Sequence, residues 1–448
     1  MGEKDFRWRR YPKVEKLFLN WIDEFKKNHS IFRELDSRLY RLTSSKIIDW
    51  IDHVLLPHTK QTAKEIEGLG FQEQSDEKSR TYRHHGVLLP SIVLTGDSSI
   101  QKAGVAIRVE RISDFLQVNG FHTEIEGSPF SPFRRALVSI ENGMAIFAVE
   151  RRGTGGFEPT YPDDGYVSSS LEAVESWKNI PRGVDDEEKA LSAIMKTAQE
   201  IISKLGQDAA AHIACECERD YWLSRNYAGR AQKSRQDALG LGWANHDHHT
   251  FRSSRLHFSR LVRLFSLLGF NARERYYAGK EAGWGAQIME NTNAGLVLFL
   301  DVDLDPEEVD IDFTTEPLEE GDQVGTVGLW CALHGDSILK GGMHHLAANF
   351  VFERQIDDGS RYGISYMAPF SDFKYLKQAF STAETWEVDH KRLEKLLDGR
   401  MITTQQADKF TREGTVGSHL ENIERREGYK GFNKKNVSKI IKKTDPRA

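Results

Sequence analysis

Apolar residues recur at spacings of three and four near the beginning of the chain. Phe18, Trp21, Ile22 and Phe25 follow this spacing, with charged residues between them. The spacing places the apolar side chains on one face of a helix, where they can pack against the rest of the protein. Residues 1–45 are therefore predicted to be a helical segment with a structural role.

From Lys46 the pattern changes to short apolar runs separated by turns and amphipathic helices, for example IIDWIDHVLL, AGVAIRVERI and GMAIFAVERR. Such runs are typical of strands, so residues 46–156 are predicted to be a β-rich unit. A Pro, Gly and Ser-rich stretch and a helix follow, and they predict a linker and helical connector at 157–240. The strand pattern returns in a second β-rich unit at 241–372, and 373–448 is predicted to be a C-terminal helical segment.

Two segments of these units resemble each other. IDHVLLPHTKQTAKEIEGLGF begins at Ile51 and HDHHTFRSSRLHFSRLVRLFSLLGF begins at His246, and 195 residues separate His53 from His248. FAVERRG near Glu150 and FVFERQ near Glu353 suggest a second pair of matching strands. We interpret these two similarities as a loose tandem duplication, with chance matching of short apolar runs as the alternative. The predicted fold class is α+β.

A strand, a helix and three strands, repeated, resemble the module of the vicinal oxygen chelate superfamily. In that superfamily, curved sheets enclose a metal ion held by His and Glu side chains. The resemblance implies tandem vicinal oxygen chelate-like units in this chain. It concerns the fold, and fold alone does not establish function.

Length and composition narrow the functional classes. The chain has 448 residues, 39% hydrophobic and 29% charged, which is typical of a globular protein with two or more domains. A net charge of −6 argues against nucleic acid and anionic membranes as partners. The 3 cysteines lack zinc-site spacing and suit a reducing compartment, and the apolar run LVLFL is too short to cross a bilayer. The predicted location is the cytoplasm, and the oligomeric state stays open.

The segment DHHTFRS, from Asp247, carries the sharpest chemical signal. On a strand the side chains alternate, so His248, Thr250 and Arg252 share one face. A neutral imidazole is a good ligand for Fe, Mn, Co or Zn, and a guanidinium beside it can bind a carboxylate through two parallel hydrogen bonds. This combination suits an oxo-acid substrate. The alternative is a polar strand exposed to solvent.

This region also resembles a known family. DHHTFRSS, YYAGKEAGWGAQIM and LVLFLDVDL, followed by ALHGDSILKGGMHHLAANF and the closing RREGYKGFNKKNVSKI, are similar to segments of the 2-oxoadipate dioxygenase/decarboxylase family, which includes the hydroxyglutarate synthases. The resemblance covers roughly residues 240–445. It implies a non-haem Fe(II) centre that binds a small 2-oxo acid and O₂ and carries out decarboxylation and hydroxylation.

The resemblance implies roles for three residues. His248 would be the first metal ligand, His345 the second, and Arg252 the substrate-carboxylate clamp. The sequence departs from the family pattern where His344 replaces an Asn and Ala347 replaces a Thr. The predicted function is therefore an Fe(II)-dependent oxygenase. The alternatives are a non-catalytic protein that retains the fold and a redox-neutral metal-dependent lyase or isomerase.

Two glutamates are candidates for the third metal ligand. Glu424, in LENIERREG, resembles the Glu-Gln-Arg-Gly context of the family ligand and follows both histidines, although its surroundings are predicted to be helical. Glu150 ends the apolar strand MAIFAVERRG, where a buried carboxylate is costly unless it is paired or metal-bound. An ion pair with a neighbouring arginine is the alternative for Glu150. His53 lacks a clamp, because Pro57 stands four residues after it, so the first unit is interpreted as a degenerate copy.

Overall fold

The computed structural model describes residues 8–74, 80–98, 100–280, 282–308, 311–313, 315–319, 321, 324–433 and 444–447. The helices are α1 (Pro12–Asn28), α2 (Ser30–Thr43), α3 (Lys60–Gly68), α4 (Ile112–Asn119), α5 (Asp164–Lys178), α6 (Glu187–Leu205), α7 (Gln207–Ser224), α8 (Tyr227–Asp237), α9 (Phe258–Leu267), α10 (Thr326–His334), α11 (Phe352–Arg361), α12 (His390–Asp398) and α13 (Thr404–Glu413). The strands are β1 (Ile51–Pro57), β2 (Gln72–Glu73), β3 (Arg80–Arg83), β4 (Ser91–Thr95), β5 (Ala103–Arg108), β6 (Phe133–Glu141), β7 (Met144–Arg151), β8 (His246–Arg252), β9 (Asn271–Tyr277), β10 (Trp284–Asn291), β11 (Leu296–Asp303), β12 (His345–Asn349), β13 (Ser371–Phe373), β14 (Leu376–Phe380), β15 (Thr385–Trp386), β16 (Thr415–Val416) and β17 (His419–Arg425). Among these residues, no helix is both long enough and apolar enough to cross a membrane.

The first sheet has seven strands in the order β2-β3-β4-β1-β5-β7-β6. Its two central strands, β1 and β5, run antiparallel to each other. β1 is parallel to β4, and β5 is parallel to β7. In each half of the sheet, the chain therefore forms a central strand, continues through a helix, and later forms a strand that pairs in parallel beside the central strand.

The second sheet repeats this arrangement with eight strands in the order β13-β14-β17-β12-β8-β11-β10-β9. The central strands β8 and β12 are antiparallel, and they pair in parallel with β11 and β17 respectively. Helices α5 to α8 connect the two sheets, and α5 lies within the Pro, Gly and Ser-rich stretch that predicted a linker. The prediction of an α+β fold with two related β-rich units and a helical connector is confirmed.

Strand register supports the duplication. Leu55 of β1 faces Gly104 of β5, and 195 residues later Thr250 of β8 faces His345 of β12. A register shift follows in the same place in both pairs, next to His53 in β1 and next to His248 in β8. Matched pairing, including a shared irregularity, is difficult to explain by chance similarity of apolar runs.

The predicted match between the segments at Glu150 and Glu353 is not a match between two strands in the structure. Glu353 lies in α11 and not in a strand, because the chain turns into a helix directly after β12. The strand that corresponds to β7 is β17, since each is the parallel partner of the second central strand in its sheet. The Glu-Arg pair at the end of β7 therefore matches Glu424 and Arg425.

The region from residue 373 onward was expected to be helical. It contains α12 and α13, but it also supplies β14 and β17 to the second sheet. The sequence of β17, HLENIER, has polar residues on both faces of the strand, so the apolar alternation that marks a half-buried strand is missing. Residues 434–443 and 448 of the predicted segment lie outside the described residues.

Candidate metal centre

Three adjacent strands in the middle of the second sheet bring two histidines and a glutamate together. On β12, Ala347 is paired with His248 of β8 on one side and with Glu421 of β17 on the other. His345 precedes Ala347 by two residues, so its side chain leaves the same face of the sheet. The small Ala347 side chain leaves space between the longer side chains of its two neighbours. The pairing alone therefore directs His248, His345 and Glu421 to one point.

The distances among these side chains suit one metal ion. His248 Nε2 lies 3.3 Å from Glu421 Oε2, and His345 Nε2 lies 3.1 Å from the same oxygen. Ligands about 2.0 to 2.2 Å from one ion, at right angles, are roughly 3 Å from each other. All three residues are buried, and their ligand atoms all lie within 4.8 Å of one another. Within the part of the chain that the structure describes, these three residues form the cluster of His, Cys, Asp or Glu side chains that could hold a metal ion. Two imidazoles and a carboxylate fit Fe(II) as well as Mn, Co or Zn.

Neighbouring side chains fix the orientation of His248. Its Nδ1 lies 2.9 Å from Asp247 Oδ1. Arg425, the last residue of β17, donates two hydrogen bonds to Asp247, of 2.7 and 3.1 Å. A carboxylate on the remote ring nitrogen of a histidine sets its tautomer and makes it a stronger metal ligand. His248 therefore presents Nε2 to the cluster.

The other two residues are also held. Gln378 donates a 2.9 Å hydrogen bond to Glu421 Oε1, which leaves Oε2 facing the histidines. Thr250 Oγ1 lies 2.8 Å from His345 Nε2, and His344 Nδ1 lies 2.9 Å from His345 Nδ1. Thr250 can donate to Nε2, so a metal ion at this nitrogen would take the place of that hydrogen bond.

The electrostatics of the cluster favour positive charge. Burial alone would lower the pKa of His248, but the negative charge of Glu421 and the hydrogen bond with Asp247 raise it to about 9. Burial alone would raise the pKa of Glu421, but the charge of His248 and the hydrogen bonds with both histidines lower it to about 2. Burial dominates at His345 and lowers its pKa. A carboxylate that stabilises a proton so strongly can equally stabilise a metal cation.

Arg252 lies on the same strand, and it lines the same cavity of about 60 Å³. It is buried, and its Nε and Nη1 have no hydrogen-bond acceptor among the described residues. The nearest carboxylate oxygen, Asp301 Oδ2, is 4.0 Å from Nε, and Asp301 Oδ1 also lacks a partner. Burial raises the pKa of Asp301 to about 7. The cavity therefore presents unused guanidinium donors to a small molecule.

Aromatic rings form much of the remaining wall of this cavity. Phe299 and Phe432 pack against His248, and Phe380 packs against His345. Tyr276 and Trp284 also line it. An apolar wall of this kind excludes water and strengthens electrostatic interactions within the site.

Glu424, which was expected as the third ligand, does not join the cluster. It lies three residues after Glu421 on β17, and an odd spacing along a strand directs two side chains to opposite faces. Its carboxylate instead binds Lys46 Nζ at 2.7 Å and accepts a hydrogen bond from the Phe352 backbone N–H at 3.1 Å. Had HLENIER been interpreted as a strand, this parity would have separated the two glutamates from the sequence alone.

Glu150, the other expected carboxylate, lies in the first sheet. Its side chain is 1% exposed and binds Arg134 at 3.3 Å and Arg152 at 2.9 Å. It also accepts a hydrogen bond from the Ile112 backbone N–H. The ion-pair alternative therefore describes Glu150, and it occupies the position in β7 that Glu424 occupies in β17.

The first sheet keeps one of the three donors at the corresponding point. His53 corresponds to His248, and its Nδ1 lies 2.7 Å from Asp52 Oδ1 in the same way. Gly104 stands in the place of His345, and Phe147, paired with Ala106, stands in the place of Glu421. Neither replacement offers a side-chain ligand, which agrees with the interpretation of the first unit as a degenerate copy.

No family model matches the sequence, and no curated protein matches it either. Among solved structures, the chain is similar to a triple mutant of 4-hydroxymandelate synthase from Streptomyces coelicolor, with 11% identity, 90% of this chain and 98% of the other covered, and a TM-score of 0.29. It is also similar to methylmalonyl-CoA epimerase from Mycobacterium tuberculosis, with 10% identity, coverage of 41% and 89%, and a TM-score of 0.24. A glyoxalase/bleomycin resistance protein/dioxygenase superfamily member from Vibrio splendidus 12B01 matches with 13% identity, coverage of 22% and 95%, and a TM-score of 0.17. Similarities at these TM-scores do not assign an activity.

Proposed function

We propose that this chain is a mononuclear non-haem Fe(II) oxygenase that decarboxylates and hydroxylates a small 2-oxo acid. The observation that carries the proposal is the buried set of His248, His345 and Glu421 beside a guanidinium with unused donors. The proposal includes membership of the 2-oxoadipate dioxygenase/decarboxylase family, which the motifs of the sequence resemble. When bound, Fe(II) would supply the Lewis acidity and the electrons that activation of O₂ requires.

The residues of the chain would have separate tasks. Asp247 holds the ring of His248, and Gln378 holds the carboxylate of Glu421, so the ligand set is rigid before a metal ion binds. The rings of Phe299 and Phe380 exclude water from the reacting groups. Rigid ligands and an apolar lining that excludes water would favour reaction of the substrate over side reactions with solvent.

Arg252 would select the substrate. Its position four residues after His248 places its Cα roughly 13 Å further along the strand, and its side chain returns toward the cavity. A guanidinium fork at this position can bind a carboxylate remote from the metal through two hydrogen bonds. We therefore infer a dicarboxylic 2-oxo acid, with one carboxylate near the metal ligands and the other at Arg252.

A redox-neutral, metal-dependent isomerase or lyase is the second candidate. Asp301 supports it, because a buried carboxyl with a pKa of about 7 can accept and return a proton near neutral pH. Arg252 would then fix the substrate carboxylate while Asp301 moves a proton on the neighbouring carbon. The two candidates differ in their need for O₂.

The test is anaerobic loading of the protein with Fe(II), followed by addition of O₂ and a panel of 2-oxo acids that includes pyruvate, 2-oxoglutarate and 2-oxoadipate. The proposal predicts equal consumption of O₂ and release of CO₂, with a dicarboxylate as the best substrate. Iron-loaded protein that consumes no O₂ with any member of the panel would contradict it. Exchange of substrate C–H hydrogen with deuterated solvent, without O₂, would then identify the redox-neutral candidate.

A further inference from the structure

A second cavity, of about 610 Å³, lies between the two sheets. Its walls come from the beginning of β1 and the ends of β3, β5 and β7 on one side, and from the beginning of β8, the turn after β10 and the end of β17 on the other. His248, His345, Glu421 and Arg252 do not line it. Its volume is in the range of small-molecule binding sites.

The walls of this cavity carry six cationic side chains, and four of them are paired with carboxylates: Arg151 with Asp52, Arg425 with Asp247, Lys430 with Glu290, and Arg426 with Glu424. The remaining two are Arg83 and Arg108. Neither forms an ion pair with a carboxylate of the described residues, although Glu15 and Asp49 also line the cavity. The cavity therefore contains two positive charges without a direct counter-ion.

The hydrogen bonding of these two arginines is also incomplete. Arg83 donates one hydrogen bond, from Nη2 to the Gly155 carbonyl oxygen at 2.7 Å, while its buried Nε has no acceptor. Arg108 has no hydrogen-bond partner among the described residues. Burial lowers the pKa of both guanidinium groups. The nearby charge of Asp52 raises these pKa values and that of Arg151 lowers them, and the net shift of both is downward. Both side chains are partly buried, and a partly desolvated cation without a counter-ion is stabilised when an anionic ligand binds beside it.

Both guanidinium groups approach the same turn between β10 and β11. A Cβ atom built on Gly155 would lie 3.1 Å from Arg83 Nη2 and 3.3 Å from Asn293 Oδ1 in this turn. Gly295 lies in the same turn, two residues after Asn293, and a Cβ atom built on it would lie 3.5 Å from Arg108 Nη1. Glycines at these points keep the approach open. The two arginines thus converge on one part of the cavity from different strands, β3 and β5.

We propose that this inter-sheet cavity binds a small dianionic ligand through Arg83 and Arg108. A carboxylate or a phosphate is the matching chemical group, because the planar guanidinium fork binds both through parallel hydrogen bonds. The volume leaves room for an organic body attached to the anionic group. The ligand would lie against both sheets, so its binding would join the two units.

The experiment is isothermal titration calorimetry of the full chain with two probes, inorganic phosphate and glutarate. The proposal predicts that at least one probe binds, and the stronger probe identifies the anionic group. Arg108→Gln and Arg83→Gln should each weaken that binding about tenfold or more. Arg426→Gln is the matched control, since Arg426 lines the same cavity but already has Glu424 as a partner, and it should change affinity by less than about twofold.

Two further measurements test the location of the bound probe and the charge balance of the cavity. Arg252→Lys should leave unchanged both the binding of phosphate and the part of glutarate binding that Arg108→Gln removes, since Arg252 belongs to the other cavity. Without a probe, Arg108→Gln should melt at or above the temperature of the unaltered chain, because a partly buried charge without a counter-ion is removed. The proposal is overturned if neither probe binds, if Arg426→Gln weakens binding as much as Arg108→Gln, or if Arg252→Lys abolishes it.

Discussion

Along β17 the side chains alternate between the two faces of the sheet, and this alternation separates two glutamates that are three residues apart. Glu421 faces the two histidines, whereas Glu424 faces Lys46. A shift of one position in this strand would exchange them, because register decides which face each side chain occupies. The chemistry of the site therefore depends on strand parity at least as much as on the presence of a glutamate.

Arg252 gives the first prediction at this scale. Arg252→Lys keeps the charge but loses the planar fork, so it should weaken use of a dicarboxylic 2-oxo acid by about 1.5 to 3 kcal/mol, the range of one charge-assisted hydrogen bond. The measurement is kcat/KM together with the iron content of the same preparation. A variant that turned over the substrate panel as well as the unaltered chain, or one that lost its iron, would show that Arg252 is not the clamp.

Asp301 predicts a pH dependence of substrate binding. Below pH about 7 its carboxyl is protonated and does not compete for Arg252, and above that pH it ionises and attracts the guanidinium. Substrate affinity should therefore fall as the pH rises through 7, by up to about tenfold per pH unit. Binding is measured anaerobically between pH 6 and 8.5. Asp301→Asn should remove this dependence, and an unchanged slope in that variant would assign it to another group.

At the scale of the strand, the site depends on the small residue between its ligands. Ala347 is paired with both His248 and Glu421, so Ala347→Val would place two extra methyl groups where the ligands meet. We expect it to reduce bound metal strongly although every ligand remains. Ala106→Val is the matched control, because Ala106 has the same position between His53 and Phe147. Both variants should lose about 1 to 3 kcal/mol of stability from overpacking, and equal metal content in both would contradict the geometry.

The same elements show how far the sequence could be interpreted. β8 was predicted as a strand, and the shared face of His248 and Arg252 was predicted from its alternation. His345 was proposed from the resemblance of its segment to a known family. β17 was not predicted, because both of its faces are buried and yet carry polar residues, such as His419, Glu421 and Glu424, where a strand usually carries apolar residues. The polar and charged side chains that form the site therefore remove the hydrophobic alternation from which this strand could have been predicted.

At the scale of the whole molecule, two related sheets have taken different roles. The second sheet has three metal-ligating side chains at its centre, whereas the first has His53, Gly104 and Phe147 at the corresponding points. The first sheet instead contributes Arg83 and Arg108 to the cavity between the sheets. The two sheets therefore share one topology but carry different polar side chains at their functional positions.

This asymmetry predicts how metal affects stability. A metal ion that binds only the folded chain stabilises it by about 2.7 kcal/mol at a hundredfold excess over Kd. We expect Fe(II), added anaerobically, to raise the melting temperature of the unaltered chain and of His53→Ala, but not of His248→Ala. A lost response in His53→Ala would indicate that the first sheet also binds metal.

The most direct test of the account is the iron content of Glu421→Ala and Glu424→Ala, each loaded anaerobically and measured beside the unaltered chain. Loss of a ligand empties the site, whereas loss of the Glu424 interactions with Lys46 and Phe352 affects stability and leaves the ligands in place. The account predicts about one iron per chain in the unaltered protein and in Glu424→Ala, and little or none in Glu421→Ala. Full iron in folded Glu421→Ala, or loss of iron in folded Glu424→Ala, would contradict a centre formed by His248, His345 and Glu421.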